Sequence, residues 1–341
     1  MIPKSFWWTI TRKCNLRCKW CFQQSNFSRQ ASSETIDKTT AFATAMKPQV
    51  VYLSGGEPLS HPAILDVIRF LKSLTDVVIV TNGTLLANPS LAEKLVSTEV
   101  NVTIAIKGVS SRQYRELTQN DRAFDQMQQG QRNLLELGCA ASASTVMTKY
   151  LSGNLEKLFE LVKRLGFRSL FINSCRPVFK NGKLEHVDSL TMPELANAFC
   201  QADIYARRYE LDYLFMPGIP LCLFPPSFIE RPTADHRLTT GCHIQKGSSF
   251  TFDTDGNVLP CNNFSEKPLG KLGEDFTDWQ SFCEWWETLG SFRKAVSKYP
   301  SDECSICRNW DICGGGCIFY SLIQDDRQHT KRNPRVEKEA V

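Results

Sequence analysis

The chain of 341 residues has no apolar run long enough to cross a bilayer and no apolar stretch followed by a cleavage site. Met1-Ile2-Pro3-Lys4 leads directly into a strand-like segment, Phe6–Thr11. A cytoplasmic protein is expected. Charge of one sign is also scarce: the net charge is +4, and the mixed tail from Lys331 to Lys338 is the nearest thing to a basic block. Neither a membrane nor a nucleic acid is therefore expected as a partner. A chain of this length buries enough surface to be stable without disulfides, and a reducing compartment keeps thiols free. Its fourteen cysteines consequently need another explanation.

Three of them stand close together in Cys14-Asn15-Leu16-Arg17-Cys18-Lys19-Trp20-Cys21, spaced Cys-x3-Cys-x2-Cys. Zinc sites more often show paired Cys-x2-Cys units, and three thiols in eight residues are unusual as plain packing. A zinc site or core thiols are the bland alternatives. A cubane iron–sulfur cluster has four irons, so three thiolates leave one iron open to a small molecule. The spacing resembles the signature of the radical S-adenosylmethionine (SAM) enzymes. That resemblance implies a [4Fe-4S] cluster on Cys14, Cys18 and Cys21, with SAM on the open iron. It also implies reductive cleavage of SAM to methionine and a 5′-deoxyadenosyl radical, with Trp20 against the adenine.

Downstream, helical stretches alternate with short runs rich in Val and Ile, as in a parallel sheet with crossover helices. Strands are expected over Phe6–Thr11, Val50–Ser54, Val77–Thr81, Asn101–Lys107, Ala140–Met147 and Arg168–Asn173. Helices are expected over Glu34–Met46, His61–Ser73, Ser90–Ser97, Phe124–Leu137, Leu155–Leu165 and Pro193–Tyr209. The fold class is α/β, a partial (β/α)6 TIM-like barrel, whose reactive groups belong at the carboxyl ends of the strands.

Gly55-Gly56-Glu57-Pro58 follows the second strand, where glycines allow close approach of the backbone and a carboxylate can accept from an ammonium. It resembles the family's motif for the SAM amino group, although the tetrapeptide alone is an ordinary turn. Thr81-Asn82-Gly83 ends the third strand and by itself is a bare turn signal. At the fourth strand the chain reads Ala105-Ile106-Lys107-Gly108 where many relatives have a Ser and an Asp before the glycine. Lys107 can meet the SAM carboxylate there or be a solvated lysine. Ser142 and Ser144 share a strand face and can reach a ribose or carboxylate, and Arg176 past the sixth strand can pair with the same carboxylate.

Beyond Pro217 the alternation stops. The expected organisation is a barrel over 1–216, a proline-marked connector over 217–235, a cysteine-rich unit over 236–325 and a polar tail over 326–341. In the cysteine-rich unit, Phe250–Asp253 and Val258–Pro260 flank a hairpin turn at Asp255-Gly256, and a helix is expected from Asp278 to about Ser297. Cys242, Gly256 and Cys261, then Cys304-x2-Cys307-x5-Cys313-x3-Cys317, are similar to the SPASM extension of radical SAM proteins, which holds auxiliary [4Fe-4S] clusters. The resemblance implies a first auxiliary cluster on Cys242, Cys261 and Cys317 and a second on Cys304, Cys307 and Cys313. No cysteine follows Cys317, so the last SPASM ligand is missing. Asp311, Asp325, Asp326 and His329 are the nearby substitutes, and Cys222 is the expected fourth ligand of the first cluster. Cys139 and Cys200 read as core thiols. Cys175, at the barrel rim, is a candidate hydrogen-atom donor with Cys222 as its rival.

SPASM proteins most often modify ribosomally made peptides, so the resemblance implies a maturase that cross-links, desaturates or epimerises a precursor peptide. It also implies a reductant such as flavodoxin or ferredoxin. The barrel begins at once, so leader recognition is expected from the barrel, the extension or a separate partner protein. A small-molecule radical SAM dehydrogenase is the second reading, sulfatase maturation a third, and a non-catalytic iron–sulfur carrier or scaffold the non-enzymatic one.

Overall fold

The computed structural model describes residues 2–22, 27–180, 183–185, 187–235, 237–264, 268–296 and 302–323. Its six leading strands are β1 (Ser5–Thr11), β2 (Val50–Gly55), β3 (Asp76–Thr81), β4 (Asn101–Ala105), β5 (Ser142–Met147) and β6 (Ser169–Ser174). They pair in parallel in chain order, with the expected helices between them, which gives the α/β partial barrel. β4 stops at Ala105, two residues before the expected end at Lys107.

The strands are long apolar runs because both faces have work to do. Phe6, Trp8, Val51, Leu53, Ile79 and Ile104 are fully buried. Phe42 of the helix Ser33–Met46 meets Phe250 and Phe252 edge-on beside them, so this face is the one the helices cover. Residues of the alternate face, among them Trp7, Tyr52, Val80, Val146, Phe171 and Met216, are only partly covered. Trp7 stacks on Tyr52 across the β1–β2 pair with centroids 4.5 Å apart. The inner wall of the barrel thus mixes these apolar side chains with polar ones on the same face, among them Thr9, Ser54, Thr103, Ser144 and Asn173.

The sheet grows at both ends. After β6 come a small hairpin, β7 (Val178–Lys180) with β8 (Lys183–Glu185), the helix Met192–Arg208, and a further parallel strand, β9 (Asp212–Met216), on β6. On the other side β10 (Ser249–Phe252) of the cysteine-rich region pairs in parallel with β1, followed by antiparallel β11 (Asn257–Leu259) and β12 (Gly270–Lys271). The ten-stranded order runs β12-β11-β10-β1-β2-β3-β4-β5-β6-β9. The Asp255-Gly256 turn is present, with Gly256 at φ 80° and the Asp253 carboxylate accepting from the N–H groups of Asp255 and Asn257.

The helix expected from Asp278 to about Ser297 is two: Trp279–Thr288, capped by Asp278, and Gly290–Val296. Its Phe282 and Trp286 join Phe42, Phe250 and Phe276 in one aromatic cluster that binds the cysteine-rich region to the barrel. Such ring pairs add about 0.5–1.5 kcal/mol each beyond their buried area. Among the described residues no helix is long and apolar enough to cross a membrane.

Candidate metal centre

The cysteine loop leaves the carboxyl end of β1 and is held on two sides. On one side the Gly56 N–H donates to the Thr11 carbonyl and the Glu57 N–H to that of Lys13, each at 2.7 Å. This contact requires glycine. A Cβ on Gly55 would lie 2.2 Å from the Thr11 oxygen, and one on Gly56 2.3 Å from that of Lys13. On the other side, a helix over Ser111–Thr118 presents its last carbonyls to the loop: Arg17 N–H donates to Thr118 at 2.8 Å and Lys19 N–H to Leu117 at 3.1 Å. Carbonyls at a helix end have no partner within the helix, so the loop satisfies them.

Glu57 is fully buried and ties the glycine turn to β3. Its Oε1 accepts from Thr81 Oγ1 at 2.6 Å and from Leu59 N at 3.1 Å, and its Oε2 from Asn82 N at 2.7 Å. Asn82 then reaches the metal-binding loop itself: its Nδ2 donates to Asn15 Oδ1 at 2.9 Å and lies 3.9 Å from Cys14 Sγ. Leu16 N–H points at the same sulfur from 3.4 Å. Burial pushes the Cys14 thiol up to about 11, an effect that Glu57 and Cys18 reinforce and that the Leu16 N–H and Lys107 oppose. Burial also raises the Cys18 thiol, with Lys107 again opposing. None of the fourteen cysteines is in a disulfide. Reduced thiols with N–H donors aimed at sulfur and a lysine among them suit an anionic iron–sulfur cluster, which compels deprotonation of its ligands.

The remaining metal-type cysteines fall into two sets. Cys242, Cys261 and Cys317 gather about Arg176, whose guanidinium their thiolates would stabilise. Arg176 follows the carboxyl end of β6, and Cys317 N–H donates at 2.7 Å to the Gly218 carbonyl just past β9. This is the same end of the sheet as the loop after β1. Cys222 is exposed and follows Leu221, whose N–H donates to Cys313 Sγ at 3.3 Å, so the chain brings it beside Cys313. Among the described residues no three His, Cys, Asp or Glu side chains draw together as ligands of a single metal ion would. In a cubane cluster each thiolate holds its own iron, so wider spacing is what such a site needs.

Residues 8–170 match the family model described as the radical SAM superfamily. The chain carries a radical SAM domain. It is 27% identical over 336 residues to an AdoMet-dependent heme synthase of Methanosarcina barkeri, covering 92% of this chain and 90% of that one. A probable GTP 3′,8-cyclase of Saccharolobus islandicus is 26% identical over 262 residues, 74% of this chain and 80% of the relative. In fold the chain resembles Streptococcus suis SuiB bound to its precursor peptide SuiA, with a TM-score of 0.74, 18% identity and coverage of 95% of this chain and 73% of the other. It likewise resembles anSMEcpe with bound AdoMet, at TM-score 0.69, 16% identity, 92% and 89% coverage.

Within the radical SAM domain the sequence expectations divide. Cys14, Cys18, Cys21, Gly55, Gly56 and Glu57 come together, but the Glu57 hydrogen bonds described above all run into the protein body. Trp20 lies in the turn before Cys21, partly exposed. Lys107 stands just past β4, its N–H donating to the buried Tyr114 hydroxyl at 3.0 Å. Ser144 is in the inner wall opposite Ala105. Ser142 opens β5 at the amino end of the sheet, where its hydroxyl is bonded by Ser169 at 2.9 Å and Arg168 at 3.2 Å, far from the cysteine loop. Arg176 stands beside the second cysteine set, where a Cβ on Gly218 would lie 3.2 Å from its Nε and 3.4 Å from Cys317 Cβ. Cys175 is buried, its thiol donating to the Val187 carbonyl at 3.4 Å, and burial pushes it up to about 12. Cys139 and Cys200 are half-buried against the core. Asp311 is exposed, and Asp325, Asp326 and His329 lie outside the described residues. Two contributors were not foreseen: Thr81-Asn82, whose sequence offers only a turn, and the helix Ser111–Thr118, which buries just Tyr114, Leu117 and Thr118.

Proposed function

We propose that this radical SAM enzyme abstracts a hydrogen from a ribosomally made peptide, leading to a cross-link, a desaturation or an epimerisation. The observation that carries this reading is the placement of a second cysteine region at the same end of the sheet as the Cys14-Cys18-Cys21 loop, in a fold shared over 95% of the chain with SuiB bound to its precursor peptide. When bound, a [4Fe-4S] cluster and SAM supply a 5′-deoxyadenosyl radical. Cys14, Cys18 and Cys21 would hold the cluster, with Lys107 available to the SAM carboxylate and Trp20 to the adenine. Glu57, through Thr81 and Asn82, positions the loop. The apolar side chains of the inner wall, Trp7, Tyr52, Val80, Val146, Phe171 and Met216, limit the access of water to the reacting carbon. The remaining cysteine sets hold auxiliary clusters, as in SPASM proteins. Cys175, kept as a thiol by burial, retains the hydrogen that an epimerase would return to its substrate. Reductant comes from a flavodoxin or ferredoxin in the cytoplasm, and leader recognition from the chain itself or a partner protein.

Similarity to heme synthase over nine-tenths of both chains favours a second reading, a small-molecule substrate. One experiment separates the two. The reconstituted protein is incubated without air in deuterated water with SAM, dithionite and the short peptide encoded beside its gene, and the peptide mass is measured. Deuterium gain means epimerisation, and loss of two hydrogens means cross-linking or desaturation. An unchanged peptide with steady 5′-deoxyadenosine formation overturns the peptide reading, and a haem precursor then becomes the first compound to try.

A further inference from the structure

The connector between β9 and the cysteine-rich region is packed along the final cysteine run. The Gly218 carbonyl accepts from Cys317 N at 2.7 Å, and three residues later Leu221 N–H donates to Cys313 Sγ at 3.3 Å. A Cβ on Gly316 would lie 2.7 Å from the Gly218 oxygen and 2.9 Å from Ile219, so the two backbones touch. Leu221–Leu223 is a single 3-10 turn, and Leu221 is buried beneath it. The turn therefore fixes Cys222 one residue from a direct bond to Cys313.

We infer that Cys222 closes a four-thiolate site with Cys304, Cys307 and Cys313, and that Cys242, Cys261 and Cys317 form a separate three-thiolate site beside Arg176. The inference rests on the reading above that the extension holds auxiliary clusters. The fourth thiolate of that site comes from upstream, by a connector that the Gly218 and Leu221 contacts pin in place. The backbone sorts them the same way: Cys307 N–H donates to the Cys304 carbonyl at 3.3 Å and Cys313 N–H to that of Asn309 at 2.8 Å within one compact run, whereas a Cβ on Gly218 would lie 3.2 Å from Arg176 Nε and 3.4 Å from Cys317 Cβ. A cluster at the Cys222 site has every iron bound to protein, which suits electron transfer. One at the Arg176 site keeps an iron free, and the guanidinium, with its Nε buried and unpartnered, stands ready for an anionic ligand there.

The test uses a background in which Cys14, Cys18 and Cys21 are all alanine, reconstituted without air, so that iron and spectra report the auxiliary sites alone. About eight irons per chain are expected from two clusters. Into this background Cys222→Ala, Cys307→Ala and Cys261→Ala are introduced singly, and iron, zinc and the electron paramagnetic resonance spectrum of the reduced protein are measured. The inference predicts that Cys222→Ala loses the same signal as Cys307→Ala and retains the signal that Cys261→Ala loses. Cys222→Ser, which offers an oxygen ligand, should keep the iron and alter only that signal, which guards against a variant that simply misfolds. A Cys222→Ala spectrum matching that of Cys261→Ala, or one unchanged from the background, overturns the inference. Stoichiometric zinc in place of iron at this site overturns it too. A background protein without iron or zinc instead sinks the auxiliary-cluster reading itself.

Discussion

Removal of the Glu57 carboxylate should loosen the cysteine loop before it changes any chemistry. In Glu57→Ala the N–H groups of Leu59 and Asn82 and the hydroxyl of Thr81 lose their acceptor inside the protein. Each buried N–H left unpaired costs about 1–3 kcal/mol, and the hydroxyl can turn to another acceptor. Relief from burying the carboxylate offsets part of this, so a net loss of about 3 kcal/mol is expected, out of a total of about 5–15 kcal/mol for a domain. Glu57→Gln keeps one acceptor oxygen but turns an amide N–H₂ toward one donor, and should cost about 1–2 kcal/mol. Burial raises the Glu57 pKa against the opposing pull of Thr81, Asn82 and Leu59. The folded protein thus binds this proton more tightly than the unfolded chain, and the group's stabilising contribution is full below its unfolded value near 4.5 and is lost as pH rises through the folded one. Urea unfolding of the metal-free protein across pH 4–8 measures both effects, and the falling component should vanish in Glu57→Gln. An alanine variant as stable as wild type, or an undiminished slope in the glutamine variant, would refute the reasoning.

Other changes test other parts of the site. Gly56→Ala places a Cβ against the Lys13 and Arg12 carbonyls and should cost more than about 3 kcal/mol, with loss of iron from the loop while the auxiliary iron remains. Lys107→Ala should weaken SAM binding roughly tenfold by removing a cation whose charge acts on Cys14 and Cys18, read by equilibrium dialysis, whereas unchanged affinity would make it a surface lysine. Cys175, raised to about 12, should be alkylated by iodoacetamide at pH 8 on the order of a thousandfold more slowly than an ordinary thiol. Peptide mapping that finds it modified as fast as the half-buried Cys139 would contradict the burial argument.

The barrel was legible because its strands are apolar runs separated by amphipathic helices, and because three thiols and a glycine pair stand where strands end. β9 escaped notice because Asp212-Tyr213-Leu214-Phe215-Met216 follows a long helix and leads into prolines, so it reads as the approach to a connector. The helix Ser111–Thr118 is polar at most positions, and its function lies in backbone carbonyls that no side-chain pattern reveals. Ser142 and Ser144 do share a face, but a period of two says nothing about height in the barrel, which separates them by a full step along the strand. Arg176 was legible as a cation just past β6. Its partner was not, because the three cysteines around it come from sequence positions 66 to 141 residues away. Cys222 shows the same limit: proximity along the chain favoured Cys242, whereas the packing of Gly218 and Leu221 delivers it to Cys313.

The most direct test of the central claim is the formation of 5′-deoxyadenosine. The protein reconstituted with iron and sulfide without air is mixed with SAM and dithionite, and the product is quantified by chromatography beside a variant with Cys14, Cys18 and Cys21 replaced by alanine. Formation by the wild type and none by the variant is the predicted result. A fully iron-loaded wild-type protein that leaves SAM intact, or a variant that cleaves it equally well, would contradict the account.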